Sequence, residues 1–362
     1  MQREVDRLPK IKDSKSCAYD LVAMGEVMLR LDPGEDRISH AVQFRAWEGG
    51  GEYNVAKAIS ACFALRSAIV TSLADNPVGD LVCGRIRQGG VDTRFVHRDS
   101  LPGSRVGLNF TERGFGARSA LGVSDRAGSC ASRMKPIDVD WDAVFGEYGS
   151  RWFHTGGIFA ALSEDTATLT LQAVQKAKQY GTVVSYDLNY RPSLWQDHGG
   201  REAAASLNRR ILPFVDVLFG NETDFYDALG IGESNEQAQS DRFYKCAEQI
   251  CALFPNVSVV ASSLRLVRSA CENDWSGAAY ADGQLFTAQG MPGLEILDRV
   301  GGGDSFASGV IYGMLCGESV EKSLALGVAH GALAMSTPGD TSMATVSEVR
   351  RLADGGTARI IR

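Results

Sequence analysis

The chain has 362 residues, of which 44% are hydrophobic and 22% are charged, and its formal net charge is −7 at pH 7. This composition excludes a disordered chain, which would contain fewer apolar residues, and the acidic balance disfavours a surface dedicated to nucleic acid. No membrane partner is expected, because no apolar run approaches the length of a transmembrane helix and the first twenty residues lack the apolar core of a signal peptide. Eight cysteines without a CxxC pair indicate reduced thiols, so we expect a cytoplasmic protein.

The N-terminal third predicts a strand, a helix and a hairpin. Residues 19–31 form a mostly apolar run that predicts one buried strand, with a polar break at Gly25-Glu26 of the kind that marks a strand end facing a site. After a glycine cluster, residues 54–63 have the composition of a helix, and the apolar residues 67–73 predict the next strand. Between residues 104 and 123 apolar and polar residues alternate, which predicts a half-exposed antiparallel hairpin.

From residue 151 onward, short apolar runs alternate with helix-length segments, which predicts right-handed crossovers and a mainly parallel sheet. The predicted strands are 151–155, 182–187, 215–219 and 257–262, and the predicted helices are 163–180, 201–212, 240–252, 304–316 and 319–335. We therefore expect one α/β domain over residues 18–350, with lid segments near 33–48 and 104–125. The tail, residues 1–17, is expected to be poorly ordered.

The glycine run Gly301–Gly303 stands directly before Asp304 and a predicted helix. Free backbone N–H groups and the positive end of a helix would together bind a phosphate, and a carboxylate there suits a base that takes a proton from an attacking hydroxyl. The alternative is structural, since an aspartate after a glycine turn often caps a helix. From this segment alone the two interpretations are equally weighted.

Other phosphate-binding signatures, GxxxxGK[ST] and GxGxxG, are missing. The chain instead resembles the ribokinase-like (PfkB) carbohydrate kinases. Their C-terminal signature D-x-x-G-x-G-D-x-F and their N-terminal Gly-Gly pair before an Asn are matched by Asp298, Gly301, Gly303, Asp304 and Phe306 and by Gly49, Gly50 and Asn54. The resemblance implies a three-layer α/β/α sandwich with a mainly parallel central sheet and a small β-sheet lid.

The resemblance also implies an ATP- and Mg²⁺-dependent kinase in which Asp304 is the general base and the N–H groups of Gly301–Gly303 form an anion hole. Asn221-Glu222 resembles the family's Asn-Glu motif, so Glu222 is expected to act on Mg²⁺ through water, although read alone the pair is more often a helix N-cap. Asp224 occupies a position where the family usually has a glutamate. A K⁺ ion near the anion hole and a homo-oligomer formed through the lid are further expectations.

The acceptor is expected to be a sugar acid. Glu52, Arg113 and Arg191 are similar to residues in the family members that phosphorylate 2-keto-3-deoxygluconate, and an arginine fork matches a carboxylate in geometry and charge. The candidate sugar-binding residues are Gly50, Gly51, Asn54, Asn109, Thr111, Arg113, Asp187, Asn189, Arg191 and Asp304. The expected reaction forms the 6-phosphate of 2-dehydro-3-deoxy-D-gluconate. The alternatives are a kinase for another small sugar, such as fructose, ribose or 2-keto-3-deoxygalactonate, and a catalytically silent sugar- or nucleotide-binding protein.

The nucleotide site is expected by resemblance to involve Asn221, Ser262, Arg265, Gly283, Gly301, Gly303 and His330. Two of these positions have competing interpretations. His330 lies among small and apolar residues, where a lone histidine is more often part of the core. Leu264-Arg265 departs from the glycine-rich turn that many family members have after this strand.

Overall fold

The computed structural model describes residues 8–232 and 239–356, and a large, mostly parallel sheet forms its centre. The strands are β1 Tyr19–Met24, β2 Met28–Asp32, β3 Arg45–Gly49, β4 Ser67–Ala74, β5 Val91–Asp92, β6 Val96–Asp99, β7 Leu108–Glu112, β8 Leu121–Asp125, β9 Ser150–Gly156, β10 Val183–Asp187, β11 Val217–Phe219, β12 Val259–Ser269, β13 Glu272–Ala281, β14 Gln284–Thr287 and β15 Met291–Glu295.

The α-helices alternate with these strands along most of the chain. They are α1 Gly51–Lys57, α2 Pro77–Gln88, α3 Gly157–Ala160, α4 Glu164–Gln179, α5 Pro192–Trp195, α6 Gly200–Ile211, α7 Glu222–Leu229, α8 Gln239–Leu253, α9 Gly302–Leu315, α10 Val320–Ala334 and α11 Val346–Ala353. None of the helices within residues 8–232 and 239–356 combines the length and the apolar character that crossing a membrane requires.

The central sheet has the order β14-β13-β12-β11-β10-β9-β1-β4-β5, with β15 paired to β13 and β6 paired to β4. The neighbours from β12 to β5 are parallel, whereas β13 pairs antiparallel with β12, β14 and β15. Side chains of β1 alternate between two cores, because Leu21 and Ala23 pack on one face of the sheet and Val22 and Met24 pack on the other. These two cores confirm the expected α/β/α sandwich with a mainly parallel sheet.

A second, four-stranded sheet with the order β3-β2-β7-β8 covers the first. The predicted hairpin at residues 104–123 is confirmed as β7 and β8, which pair antiparallel with Asn109 opposite Ser124. We call this four-stranded sheet the lid. The predicted lid segment 33–48 contains most of β3, whereas β2 lies just before it.

The prediction of one strand over residues 19–31 was wrong. The chain turns at the polar break, so that β1 lies in the central sheet and β2 lies in the lid. The turn needs a glycine at position 25, because a Cβ there would lie 2.1 Å from Oε2 of the buried Glu52. The break at Gly25-Glu26 therefore ends one strand and sends the next into another layer.

Two further boundaries differ from the predictions. Helix α1 begins at Gly51 rather than at residue 54, and a π-helical turn, Ala58–Cys62, follows it. Strand β12 continues to Ser269, seven residues past its predicted end, because β13 pairs with it beyond the edge of the sheet. The predicted disordered tail falls partly on residues 1–7, which lie outside the described residues. Its second half packs on the domain, with Lys12 O accepting a 2.9 Å hydrogen bond from Arg151 Nε.

A buried ion-pair cluster joins the lid to the loop before α9. Arg30 on β2 is 1% exposed and donates from Nη1 to Asp340 Oδ1 at 2.8 Å and from Nη2 to Asp298 Oδ2 at 2.7 Å. Asp298 also accepts hydrogen bonds from the backbone N–H groups of Val300 and Gly339, both at 3.2 Å. One guanidinium thus fixes two separate loops and one lid strand.

Replacing this cation is expected to be costly. Arg30→Met leaves Asp298 and Asp340 buried without their partner, and we expect it to lower the free energy of unfolding by about 3–5 kcal/mol. Arg98→Met removes an arginine paired with the exposed Asp80 and is expected to cost at most about 1 kcal/mol. Urea unfolding followed by circular dichroism compares the two variants. Equal losses would show that the cluster adds nothing to stability beyond a surface ion pair.

Candidate active site

A cavity of about 430 Å³ lies at the carboxyl ends of the parallel strands, under the lid. Asp304 lines this cavity together with residues that we expected to bind the sugar and residues that we expected to bind phosphate. The lining includes Met28, Gly50, Gly51, Asn54, Asn109, Ser124, Arg126, Asp187, Asn189, Arg191, Asn221, Asp224, Ser262, Ser263, Arg299, Gly301, Gly303, Asp304 and Asp340. The fold therefore brings together most residues that the sequence singled out.

The loop before α9 has the shape of an anion site. Gly301 is the N-cap of α9 with φ +78°, and a Cβ there would lie 1.9 Å from the carbonyl oxygen of Asp340. Only glycine allows both this backbone conformation and this close approach. Gly301 and Gly303 line the cavity at the start of α9, where the first N–H groups of a helix and its dipole favour a phosphate.

Asp304 is not the cap of α9. It lies in the first turn, and its Oδ2 accepts a 2.6 Å hydrogen bond from Asn54 Nδ2 of α1. The structural alternative of an aspartate N-cap is therefore contradicted. Asn54 belongs to the N-terminal signature and Asp304 to the C-terminal one, so the two sequence motifs meet side chain to side chain.

The carboxyl groups around this point hold their protons unusually strongly. Burial raises the pKa of Asp304 to about 6, against the opposing effects of the Asn54 hydrogen bond and the Arg191 charge. Burial, with the charges of Asp224 and Asp304 added, raises the pKa of Asp187 to about 7. Burial raises the pKa of Glu52 to about 8, and the charges of Asp304 and Asp187 act in the same direction. Such a group near neutral pH is suited to accepting a proton.

The lid contributes an arginine that the sequence reasoning missed. Arg126 lines the cavity directly after β8, and its Nε and Nη2 donate to Glu26 Oε2 at 2.9 and 2.5 Å. Glu26 also accepts a hydrogen bond from Ser129, so the carboxylate that orients the guanidinium is itself held. The sequence could have indicated Arg126, because side chains alternate between the two faces of a strand. Ser124 and Arg126 therefore lie on the same face as Asn109.

Arg113 and Thr111 lie elsewhere. Arg113 donates from Nε and Nη2 to Asp32 Oδ2 at 3.2 and 2.6 Å, and with Thr111 it lines a separate cavity of about 270 Å³ beside the main one. Asn109 lines both cavities and donates to Thr111 Oγ1 at 3.2 Å. The structure thus places Arg113 as a partner of the buried Asp32 and does not bring it to the lining of the main cavity.

The segment at the end of β10 forms another part of the cavity wall. Asp187 ends β10, and Asn189 follows it with φ +38°, a left-handed conformation that asparagine tolerates. Arg191 lines the cavity two residues later. Asp224 Oδ1 accepts a 3.0 Å hydrogen bond from the Tyr190 N–H, which ties this segment to α7.

The Asn221-Glu222 segment starts α7. Asn221 caps this helix by accepting hydrogen bonds from the N–H groups of Thr223 and Asp224 at 2.9 and 3.0 Å, and it also lines the cavity. Glu222 is half-buried beside it and is not among the lining residues. Within the part of the chain that the structure describes, no three His, Cys, Asp or Glu side chains group closely enough to hold a metal ion.

Three of the predicted nucleotide residues, Gly283, His330 and Arg265, do not line the main cavity. His330 is 0% exposed between α9 and α10, where its Nδ1 lies 2.9 Å from Ser308 Oγ, and burial lowers its pKa to about 4. It is a core residue, as the alternative interpretation held. Gly283 lies in the turn between β13 and β14 with φ +76° and does not line the cavity. Ser262 lines the cavity, whereas Arg265 lines a neighbouring one.

Known proteins resemble the chain over nearly its whole length. A family model described as pfkB family carbohydrate kinase matches residues 18–253 and 274–346. A 2-dehydro-3-deoxygalactonokinase of Haloferax volcanii is 32% identical over 95% of this chain and 99% of its own length. A 5-dehydro-2-deoxygluconokinase of Bacillus subtilis is 26% identical over 93% of this chain and 96% of its own.

A solved structure agrees with these relatives. The crystal structure of 2-dehydro-3-deoxygluconokinase from Thermotoga maritima superposes with a TM-score of 0.86 at 36% identity, covering 92% of this chain and 99% of that one. The chain therefore belongs to the pfkB family of carbohydrate kinases and is an ATP-dependent sugar kinase.

Two glycines of the anion loop provide a matched test of its geometry. Gly301→Ala is expected to lower the free energy of unfolding by about 2–4 kcal/mol, because the left-handed conformation and the collision with Asp340 each cost about 1–2 kcal/mol or more. A Cβ at Gly303 meets nothing within 4 Å, so Gly303→Ala should change stability by no more than about 1 kcal/mol. Thermal unfolding of both variants measures the difference. If Gly301→Ala were as stable as Gly303→Ala, the loop would not need its observed shape.

Proposed function

We propose that this kinase transfers the γ-phosphate of ATP to the 6-hydroxyl of 2-dehydro-3-deoxy-D-gluconate. The observation that carries the proposal is one cavity lined by the carboxylate of Asp304, by Gly301 and Gly303 of the anion loop, and by Arg126 next to the lid. A base beside an anion site suits phosphoryl transfer to a hydroxyl, and the arginine suits an acceptor that carries a carboxylate.

In the proposed reaction Asp304 accepts the proton of the sugar hydroxyl as that oxygen attacks the γ-phosphorus. The bond between the γ-phosphorus and the bridging oxygen breaks, and ADP leaves with the bond's electron pair. The N–H groups of Gly301–Gly303 stabilise the charge on the transferring phosphoryl oxygens. Asn54 holds the carboxylate in place through its 2.6 Å hydrogen bond. The lid keeps water away from the attacking hydroxyl.

Mg²⁺ is proposed at the end of the cavity where Asn221 and Asp224 lie. Their oxygen atoms are the hard ligands that this ion prefers, and Glu222 would hold it through water. When bound, the ion neutralises the phosphate charges of the nucleotide. A homo-oligomer formed through the lid, a K⁺ ion and a cytoplasmic location belong to the same proposal.

The choice of a sugar acid rests on Arg126. Glu26, itself held by a hydrogen bond from Ser129, fixes the orientation of this guanidinium, so little side-chain entropy is lost when it binds a ligand. The named relatives act on dehydro-deoxy-gluconate or dehydro-deoxy-galactonate, which are acids. Arg126 thus takes the role that the sequence suggested for Arg113, and Arg191 remains a second candidate for the carboxylate.

A second candidate substrate is the galacto epimer, 2-dehydro-3-deoxygalactonate. The Haloferax volcanii relative carries the name of a kinase for this epimer. Coupled ADP release with the two epimers distinguishes these candidates.

Substrate choice is tested by coupled ADP release over gluconate-derived, galactonate-derived and neutral sugars. The wild type should prefer 2-dehydro-3-deoxygluconate over fructose and ribose. Arg126→Met should lower kcat/KM for the acid by about 10–100-fold, the value of one or two charge-assisted hydrogen bonds, and should change neutral-sugar turnover much less. Arg113→Met is the matched control, and it should leave the acid-to-neutral ratio unchanged. A larger effect of Arg113→Met on that ratio would restore the sequence-based assignment.

The pH profile tests the base. A base acts only when ionised, so kcat/KM should fall as pH drops below about 6, the pKa of Asp304. Asn54→Ala removes a hydrogen bond that favours the carboxylate, so its inflection should move to higher pH. Asp304→Asn should lower kcat by about 10²–10⁴-fold while ADP still binds. An inflection that stays at the same pH in Asn54→Ala would assign the titration to another group.

A further inference from the structure

Glu52 is a buried carboxyl group to which the proposed reaction gives no role. It lies in the first turn of α1, is 6% exposed and does not line the main cavity. Its carboxyl fills a slot between two glycines, because a Cβ at Gly25 would lie 2.1 Å from Oε2 and a Cβ at Gly156 would lie 2.9 Å from Oε1. Gly25 follows β1 and Gly156 ends β9, and these two strands are neighbours in the central sheet. The carboxyl therefore packs against the ends of two parallel strands.

The slot adjoins two other carboxyl groups. Asp187 is opposite Gly156 in the pairing of β10 with β9, and a Cβ at Gly156 would lie 3.7 Å from the Cβ of Asp187. Asp304 contacts the same turn of α1, since its Oδ2 accepts the 2.6 Å hydrogen bond from Asn54 Nδ2. One turn of helix thus carries both the enclosed Glu52 and the side chain that holds the proposed base.

The enclosed carboxyl has no counter-charge of its own. Among the residues that the structure describes, no lysine or arginine forms an ion pair with Glu52. The positive charge of Arg126 acts on it, but Arg126 is paired with Glu26. Glu48 shows the contrasting arrangement, because it is also 6% exposed yet its Oε1 lies 2.6 Å from Lys57 Nζ. Burial without a paired cation disfavours the charged form of a carboxyl group.

The titratable groups around the slot add to the effect of burial. Burial, with the charges of Asp304 and Asp187 acting in the same direction, raises the pKa of Glu52 to about 8, although a hydrogen bond from its own backbone and the charge of Arg126 oppose this. Tyr186 of β10 is also close, and its pKa is raised by burial with the charge of Glu52 adding to the effect. At neutral pH the enclosed carboxyl is therefore protonated.

We propose that Glu52 is a positioning residue that works uncharged: its protonated carboxyl fills the slot at the ends of β1 and β9 and seats the turn of α1 from which Asn54 holds Asp304. This inference deepens the proposed function and rests on it. An ionised Glu52 would be a buried charge without a partner, next to a site that gathers anionic phosphates. Loss of its proton would therefore disturb the turn and weaken phosphoryl transfer.

The first test is the pH dependence of stability, which needs no substrate. An unfolded glutamate loses its proton near pH 4.5 and the enclosed Glu52 only near pH 8, so Glu52 lowers wild-type stability progressively as the pH rises between these values. Glu52→Gln keeps the shape and cannot ionise. Its urea midpoint, relative to that of the wild type, should therefore rise between about pH 5 and pH 8.

Glu48→Gln is the matched control for stability. It removes an equally buried carboxylate that Lys57 stabilises, so its urea midpoint relative to the wild type should not rise over the same pH range. A pH-independent difference between Glu52→Gln and the wild type would show that Glu52 is ionised in the folded protein, and this result would overturn the proposal.

The second test is the pH profile of coupled ADP release with ATP and 2-dehydro-3-deoxygluconate. Wild-type kcat/KM should decline above about pH 8, where Glu52 ionises. Glu52→Ala, which empties the slot, should lower kcat/KM at every pH by about 10–100-fold, because the turn that carries Asn54 loses its support. Glu52→Gln should recover most of this loss at pH 7 and should lack the alkaline decline, whereas Glu48→Gln should keep that decline.

Two kinetic outcomes would contradict the role. An alkaline decline that persists unchanged in Glu52→Gln would belong to another group. A loss at pH 7 as large in Glu52→Gln as in Glu52→Ala would show that the site uses the negative charge of Glu52 rather than its neutral shape. If the wild type phosphorylates no sugar acid, the proposed substrate fails, and the urea comparison still decides whether Glu52 is uncharged.

Discussion

The buried guanidinium of Arg30 is the interaction on which the site depends. It lies between Asp298 of the C-terminal signature and Asp340 of the last loop, and it comes from a lid strand. A buried charge is stable only when its partners are held in place. The cluster therefore allows one relative arrangement of the three chain segments that contribute to it. Gly301, held against the Asp340 carbonyl, takes its position from that arrangement.

The electrostatic problem of this enzyme is that a cavity rich in carboxyl groups must accept an anionic nucleotide. Burial solves part of it, since the raised pKa values of Glu52, Asp187 and Asp304 mean that these groups do not all carry full charge together. Arginines that line the cavity offset a further part of this negative charge.

The sequence predicted the layers and the glycine loop before α9 because both depend on local patterns. Alternating strand and helix lengths predicted the parallel sheet, and a glycine run before an aspartate predicted the loop of α9. The sequence did not predict features whose geometry depends on which strands pair with each other. The arms of the lid hairpin carry Arg113 and Arg126, and only the register with β2 decides that the first meets Asp32 and the second meets the cavity. The length of β12 likewise depends on β13, whose polar sequence is not typical of a strand.

The contact between the lid turn and the β12–β13 turn has a consequence for how these segments vary. The link is a hydrogen bond between main-chain atoms of Ala270 and Gly116, so most side chains at the two turns can be exchanged without removing it. Insertion or deletion of one residue in either turn would shift the donor away from the acceptor. Segment length, rather than residue identity, is therefore the property under constraint at these two turns.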